Sequence, residues 1–344
     1  MNRLDRRDDI ILKAIVEEYV RVVGPVGSRT ISKKIPLNLS SASIRNVMSD
    51  LEDMGYLYQP HTSSGRVPTT TGFRYYVEKL MELKYLQKEE MDTISDKVDQ
   101  FKADMIEMLK ETSRILSDSI QHACLILAPG PGHLVLRHIG FVLLSRRRIL
   151  VLLVGKSGLV QNRVFDHDED ISQDELDRIS HYLNQEIVED RTIEETRKII
   201  MKELRREKAR YNRLVKKALN LGDKALEISE AKVIVEGQSK ILDQPEFAEN
   251  LSKLKQVITS FEQKATLLKL IDNTMSSEGL QITIGAENPL DEFKDMSVIS
   301  AGYRRSDSTI GKVGVIGPMR MDYGTIIPFV EFTASLLSGK FEDN

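Results

Sequence analysis

The sequence predicts an α+β multidomain chain that opens with a winged helix-turn-helix. Three observations carry that reading. The first 75 residues run amphipathic helix, turn, Ser-capped helix, then a strand and a loop that returns through Gly65-Arg66-Val67-Pro68-Thr69. A long amphipathic stretch at 88–122 follows and predicts a stiff connector helix. Beyond it, strand-like runs stand on both sides of a helical block, the pattern of an α+β domain carrying a largely helical insertion.

Taken in order, Ile11, Ile15, Tyr19 and Val22 fall at helical spacing and predict a helix over 6–23, broken by Gly24-Pro25. Val26 reads as a short strand residue. Ser28 reads as the N-cap of a second short helix through Lys34, with Ile31 inward. Pro36 and Asn38 make the turn. Ser40 or Ser41 caps a third helix that runs to Met54 and stops at Gly55. Its Ile44, Val47, Met48 and Leu51 point to a core. Leu57-Tyr58 and Arg66-Val67 form the arms of a hairpin wing, and residues 71–84 are again helical. Strands are expected at 124–127, 135–144, 149–154, 159–165, 231–235, 280–284, 296–303 and 312–316. Helices are expected over 172–221, 245–275 and 323–337. The domains then read 1–80 for the winged head and 81–122 for the connector. Residues 123–165 with 230–344 make one α+β domain, and 166–229 the insertion.

A chain of 344 residues has room for two or three domains with real cores. Its net charge of -3 excludes bulk coating of nucleic acid, but the charge is uneven. Residues 21–74 hold seven basic side chains (Arg21, Arg29, Lys33, Lys34, Arg45, Arg66, Arg74) against three acids (Asp50, Glu52, Asp53). Positive charge therefore collects where the helix-turn-helix lies, as an electrostatic footprint for DNA should. The single cysteine, Cys124, excludes an intramolecular disulfide framework and reads as a small buried apolar residue. No apolar leader opens the sequence, and its longest apolar stretch, Ile149–Val154, is far short of the roughly 20 residues of a spanning helix. A cytoplasmic protein is expected.

The third helix has a second face. Ala42, Arg45, Asn46 and Ser49 share helical spacing opposite the apolar stripe, and the acids gather at the far end, where they would repel phosphate. The N-terminal half, Ser41 included, should therefore enter the major groove of double-stranded DNA and offer free amides to a phosphate. Arg45 can be bidentate to guanine and Asn46 to adenine. Arg29, Thr30 and Lys33 can clamp the backbone, while His61 and Arg66 on the wing reach an adjacent groove or phosphate. The bland alternative for Arg66 is that it merely caps the domain or pairs with an acid.

The run Ser40–Met54, Gly55-Tyr56-Leu57, Pro60–Thr69 and Gly72-Phe73-Arg74-Tyr75-Tyr76-Val77 resembles the HrcA family of bacterial heat-inducible transcription repressors. The later run Ile316-Gly317-Pro318-Met319-Arg320-Met321-Asp322-Tyr323 is similar to that family's C-terminal signature. The likeness thus reaches from the start of the chain to near its end. It implies a homodimeric repressor of chaperone operons that binds an inverted-repeat operator and is kept active by the GroEL-type chaperonin. It also implies that the α+β domain is GAF-like and that the insertion is a dimerisation domain.

From Arg197 to Lys217 there are ten basic residues and two acids, with Ile200, Leu204, Tyr211, Leu214, Ala218 and Leu221 forming a mostly apolar stripe. The stripe suits an ordinary buried face or part of a dimer interface. Gly155-Lys156-Ser157-Gly158 has Leu150 where a P-loop needs its first glycine, so a hairpin turn is expected there, as at Pro129-Gly130-Pro131-Gly132. His167 to Asp170, with His181, lack metal-ligand spacing, and His122, His133 and His138 are scattered. No nucleophile elbow or other catalytic constellation occurs, so no enzyme, metal or cofactor is expected. The rival reading is a winged-helix regulator gated by a small ligand in the α+β domain, at residues 280–330.

Overall fold

The computed structural model describes residues 4–37, 39–62, 64–101, 105–130, 135–156, 160–167, 170–188, 191–207, 213–226, 232–248, 251–272, 279–305 and 308–342. These form a mixed α+β chain of two compact units. The first comprises Met1–Leu127 and Val233–Gly339, the second Ala128–Lys232 and Lys340–Asn344. Asn38, His133, Asp168, Glu169, Tyr211, and parts of the turns at Pro129–Gly132 and Gly155–Gly158, lie outside the described residues.

The first unit begins with α1 (Arg6–Arg21), α2 (Ser28–Ser32) and α3 (Ser41–Asp53). Asp5 caps α1 by accepting from the amides of Arg7 and Asp8. Ser40 caps α3 through the amide of Ser43 at 3.1 Å. Ser28 does not cap α2; Gly27 holds that position with no side-chain bond, and the helix ends at Ser32 rather than Lys34. Ile11, Leu12 and Ile15 of α1 pack with Ile31, Ile44, Val47 and Leu51, all at most 2% exposed. The hairpin follows as β1 (Leu57–Tyr58) and β2 (Val67–Pro68), antiparallel, with Val26 bridged to Arg66 on its other side. α4 (Thr70–Tyr75) continues into a π turn over Tyr76–Leu80, and the helix expected to reach 84 stops there.

The connector expected over 81–122 is not one helix. Residues 81–87 have no regular structure; α5 (Lys88–Asp99) ends at a Gln100 cap, and α6 (Met105–Ile120) is a core helix. Leu109 and Leu116 of α6 are buried, and the Ser113 hydroxyl donates to the Cys124 carbonyl at 3.2 Å. An amphipathic stripe is the same signal whether its partner is a helix or a sheet, which is why the sequence misplaced it. α6 lies against an antiparallel five-stranded sheet. Its order is β7 (Val233–Glu236), β3 (Ala123–Leu127), β10 (Ser308–Pro318), β9 (Met296–Arg305), β8 (Leu280–Ile284). β3 sits inside this sheet with every residue buried, so it reads as a continuous apolar run. α10 (Pro245–Ala248), α11 (Leu251–Glu262), α12 (Lys264–Asp272) and α13 (Tyr323–Glu342) complete the unit.

The second unit corrects the expected division at 165/166. β4 (Leu136–Ser145), β5 (Arg148–Gly155) and β6 (Val160–Asp166) do not join the large sheet; they form their own antiparallel sheet. α7 (Gln173–Leu183), α8 (Ile193–Glu207) and α9 (Arg213–Ala225) share its core. Ile200, Ala218 and Leu221 of the basic helical stripe are buried in that core. The strands' alternation announced their existence but not their partners. The outer edge of β4 is closed by side-chain amides: Asn184 bonds both backbone groups of Ile139, and Gln173 bonds Phe141 and Leu143. Such capping blocks edge-to-edge pairing there.

Glu18 of α1 is 5% exposed and takes hydrogen bonds from Arg21 and from Lys34, the latter just past α2. The Arg21 and Lys34 bonds hold its carboxyl at about 2 against an ordinary 4.5. A lowered pKa contributes stability that is complete above the unfolded value and lost as pH falls through the folded one. Glu18→Gln should therefore cost about 1.5–3 kcal/mol at about pH 7, with the difference from the parent closing between about pH 4.5 and pH 2. Urea unfolding across that range checks it; a pH-independent difference would contradict it.

Candidate nucleic-acid interface

Burial decides which side of α3 is available. Ile44, Val47, Met48 and Leu51 face the core, and Ala42, Arg45, Asn46 and Ser49 are exposed, with Ser41 half-buried at the first turn. The Ser40 hydroxyl satisfies Ser43 and meets its hydroxyl at 2.9 Å. The amides of Ser41 and Ala42 find no partner among the described residues, as expected of a helix start. Arg29, Thr30 and Lys33 are exposed on and just after α2.

Ion pairing sorts the seven cations of residues 21–74. Arg21 and Lys34 are taken by Glu18, Arg66 by Glu52 at 2.7 Å, and Arg74 by Glu287. Among the described residues, Arg29, Lys33 and Arg45 have no acidic partner. The uncompensated charge is therefore confined to α2, its end, and the outer face of α3. An acid of α3 that would have repelled phosphate, Glu52, is neutralised in the same arrangement.

Arg66, expected to reach DNA from the wing, is held by an acid in this structure. Its guanidinium is only 16% exposed and is committed to Glu52, while its backbone exchanges two 2.9 Å bonds with Val26. It fastens the hairpin to α3 and to the segment before α2. Gly65 beside it must be glycine, since a Cβ would lie 2.3 Å from the Val26 carbonyl oxygen. His61 stays exposed at the hairpin tip, where its backbone is held by the Ser64 hydroxyl. The sequence reading missed Gln59, whose amide donates to the carbonyls of Thr62 and Ser64 and closes the loop. It also missed Thr69, which caps α4 and donates to the Gly55 carbonyl at 2.6 Å. The latter had a local signal, a Thr before a helical run; Gln59 had none.

Among the described residues no cluster of His, Cys, Asp or Glu could hold a metal ion, and no helix is long and apolar enough to cross a membrane.

A small head with a charged, unobstructed helix face, joined to a larger α+β body, is the build of a transcription regulator. Comparison with known proteins identifies the kind. The model of the HrcA protein C terminal domain matches residues 106–327. The chain is 42% identical over 346 residues to the heat-inducible transcription repressor HrcA of Syntrophobacter fumaroxidans, covering 100% of this chain and 99% of that one. It is 42% identical over 342 residues to the same-named protein of Geobacter sulfurreducens, covering 99% of each. A crystal structure described only as that of a hypothetical protein shares the fold, with TM-score 0.62 and 23% identity over 99% of both chains. This chain belongs to the HrcA family of heat-inducible transcription repressors; it is a negative regulator of heat-shock genes, and not an enzyme.

Because Arg66 and Glu52 are joined to each other, their substitutions should not add. A double-mutant cycle of Arg66→Ala and Glu52→Ala, read by urea unfolding, should give a coupling of about 1 kcal/mol. Additive losses would show that the hairpin is held by its backbone bonds alone.

Proposed function

We propose that the chain is a homodimeric repressor of chaperone operons in the bacterial cytoplasm, bound to the nucleoid at an inverted-repeat operator. The observation that carries the DNA part is the coincidence of three unneutralised cations with the free polar face of a Ser-capped helix. The head is read as a winged helix-turn-helix, with α3 as recognition helix. Arg45 and Asn46 read base edges, with Ala42 and Ser49 lining the groove. Arg29, Thr30 and Lys33 hold phosphates, the amides of Ser41 and Ala42 receive another, and His61 contacts the backbone from the wing. Arg66 supports these contacts by fixing the wing. The large sheet with its helices is read as the GAF-like domain, and no cofactor is required.

The second unit is read as the dimerisation domain, extended to include β4–β6. Both faces of β5 are apolar. Ile149, Val151 and Leu153 enter the unit's core, and Leu150, Leu152 and Val154 turn the other way. Register places Val142 and Val164 on either side of Leu150, and Val160 beside Val154. Val142, Val160 and Val164 are 40%, 54% and 41% exposed. A second copy is the occupant proposed for this face, because two-fold protein symmetry matches an inverted repeat. The described residues of the α8–α9 stripe, Ile200, Ala218 and Leu221, are spent on the unit's own core.

Control follows from folding rather than from a ligand. A GroEL-type chaperonin maintains the active repressor, and clients unfolded by heat compete for it. A protein of ordinary marginal stability then loses activity as chaperonin is drawn away. Adding chaperonin and ATP should raise the fraction of active repressor in operator titrations.

Arg45→Ala should cost about 1–3 kcal/mol on operator and relax base choice there. Lys33→Ala should weaken operator and random DNA alike and lower the salt slope by about 1. Fluorescence anisotropy on both duplexes checks each role, and an equal loss on both DNAs for Arg45→Ala would refute base reading. Val164→Glu, at an exposed position, should yield folded monomers in sedimentation; a folded dimer would remove the sheet face from the interface.

A further inference from the structure

The C-terminal signature contributes nothing to the DNA face, yet its Met319, Arg320 and Tyr323 meet the head and its Asp322 meets the segment that follows the head. Tyr323 is 1% exposed, donates to the Met319 carbonyl at 2.7 Å and meets the Ser297 hydroxyl at 2.7 Å, so it is anchored in the body. Its ring lies 6.2 Å from Phe73 of α4, which in turn lies 6.1 Å from Tyr19 of α1. Arg320 reaches the Val20 carbonyl in the last turn of α1 while paired with Glu246. Asp322 receives the Lys84 ammonium at 2.6 Å, and the Lys84 amide donates to the Gly324 carbonyl.

Arg74 makes the second half of this junction. Its guanidinium donates to Glu287 Oε1 at 2.9 Å and to the carbonyl of Ile282, midway along β8, at 2.6 Å. Beside it, Gly285 takes a φ of +56°, and a Cβ there would lie 2.4 Å from Thr70 Oγ1 and 2.5 Å from Met319 Sδ. The N-terminus of α4 is thus pressed onto the body where no side chain would fit.

We propose that Arg74–Glu287, the tilted Phe73–Tyr323 ring contact and Lys84–Asp322 act as positioning residues that hold the head at one orientation, and so set the half-site spacing the repressor accepts. One contact would leave the head free to turn. Contacts at three separate places, on α4, between α4 and α13, and on the segment after the π turn, remove that freedom. None of these residues lies on α2 or α3, so the junction and the reading face are independent. In a dimer, fixed heads bind both arms only when the arms are spaced correctly, whereas loosened heads tolerate error and lose effective concentration. This inference rests on the dimeric-repressor reading above.

The test uses the full chain and three variants: Glu287→Gln, Arg74→Glu, and the swap Arg74→Glu/Glu287→Arg. Each is titrated by anisotropy against a single half-site, the chaperone-operon inverted repeat, and the same repeat with its arms moved apart by about half a helical turn, roughly 5 bp. Parent protein should prefer the native spacing strongly. Glu287→Gln and Arg74→Glu should bind the half-site as the parent does, within about twofold, yet lose about tenfold or more of the spacing preference, and the swap should restore it. Unchanged spacing preference, or a loss on the half-site equal to that on the repeat, would overturn the positioning role. A parent that prefers neither repeat over scrambled DNA would instead overturn the dimeric-repressor reading itself.

Discussion

The head depends on how its charges are allocated. Glu18 draws Arg21 and Lys34 together and so ties α1 to the end of α2, while Glu52 draws Arg66 and ties the hairpin to α3. The Lys34 and Arg66 pairings each join two elements, and all three pairings neutralise a cation. The cations left over, Arg29, Lys33 and Arg45, are exposed on α2, just after it and on the outer face of α3. Shape and electrostatics are therefore settled by the same few bonds: an acid lost from this set would both loosen the head and misplace its positive field.

The body repeats the principle with less charge. Its inner strand β3 is buried along its whole length, so it needs cover, and α6 is drawn from the expected connector into that role. The short irregular segment that remains, residues 81–87, cannot orient the head by itself. The orientation comes instead from packing of α4 against Gly285, Met319 and Tyr323.

Local chemistry was legible in the sequence and long-range choice was not. Ser40, the Ile44–Leu51 stripe and the Arg45–Asn46 face were all readable from spacing, because a helix repeats its environment every turn. Strand positions were readable from alternation. The sheet that β4–β6 would join was not, since alternation says which side is buried and never against what. Arg66 and Arg74 show the same limit. Both sit in a run that reads as basic and DNA-facing, yet their partners, Glu52 and Glu287, lie 14 and 213 residues away. The signature at 316–323 is recognisable as a motif, but its contacts with the head lie too far along the chain to be read from it.

The central claim is that the free face of α3 reads an inverted repeat through two heads. The most direct measurement is anisotropy of the full-length protein, at fixed salt, on a labelled chaperone-operon inverted repeat, its isolated half-site and a scrambled duplex. Two heads reading one repeat should bind it at least about a thousandfold tighter than scrambled DNA, with the half-site between them. Equal affinity for all three, from protein shown to be folded, would contradict it.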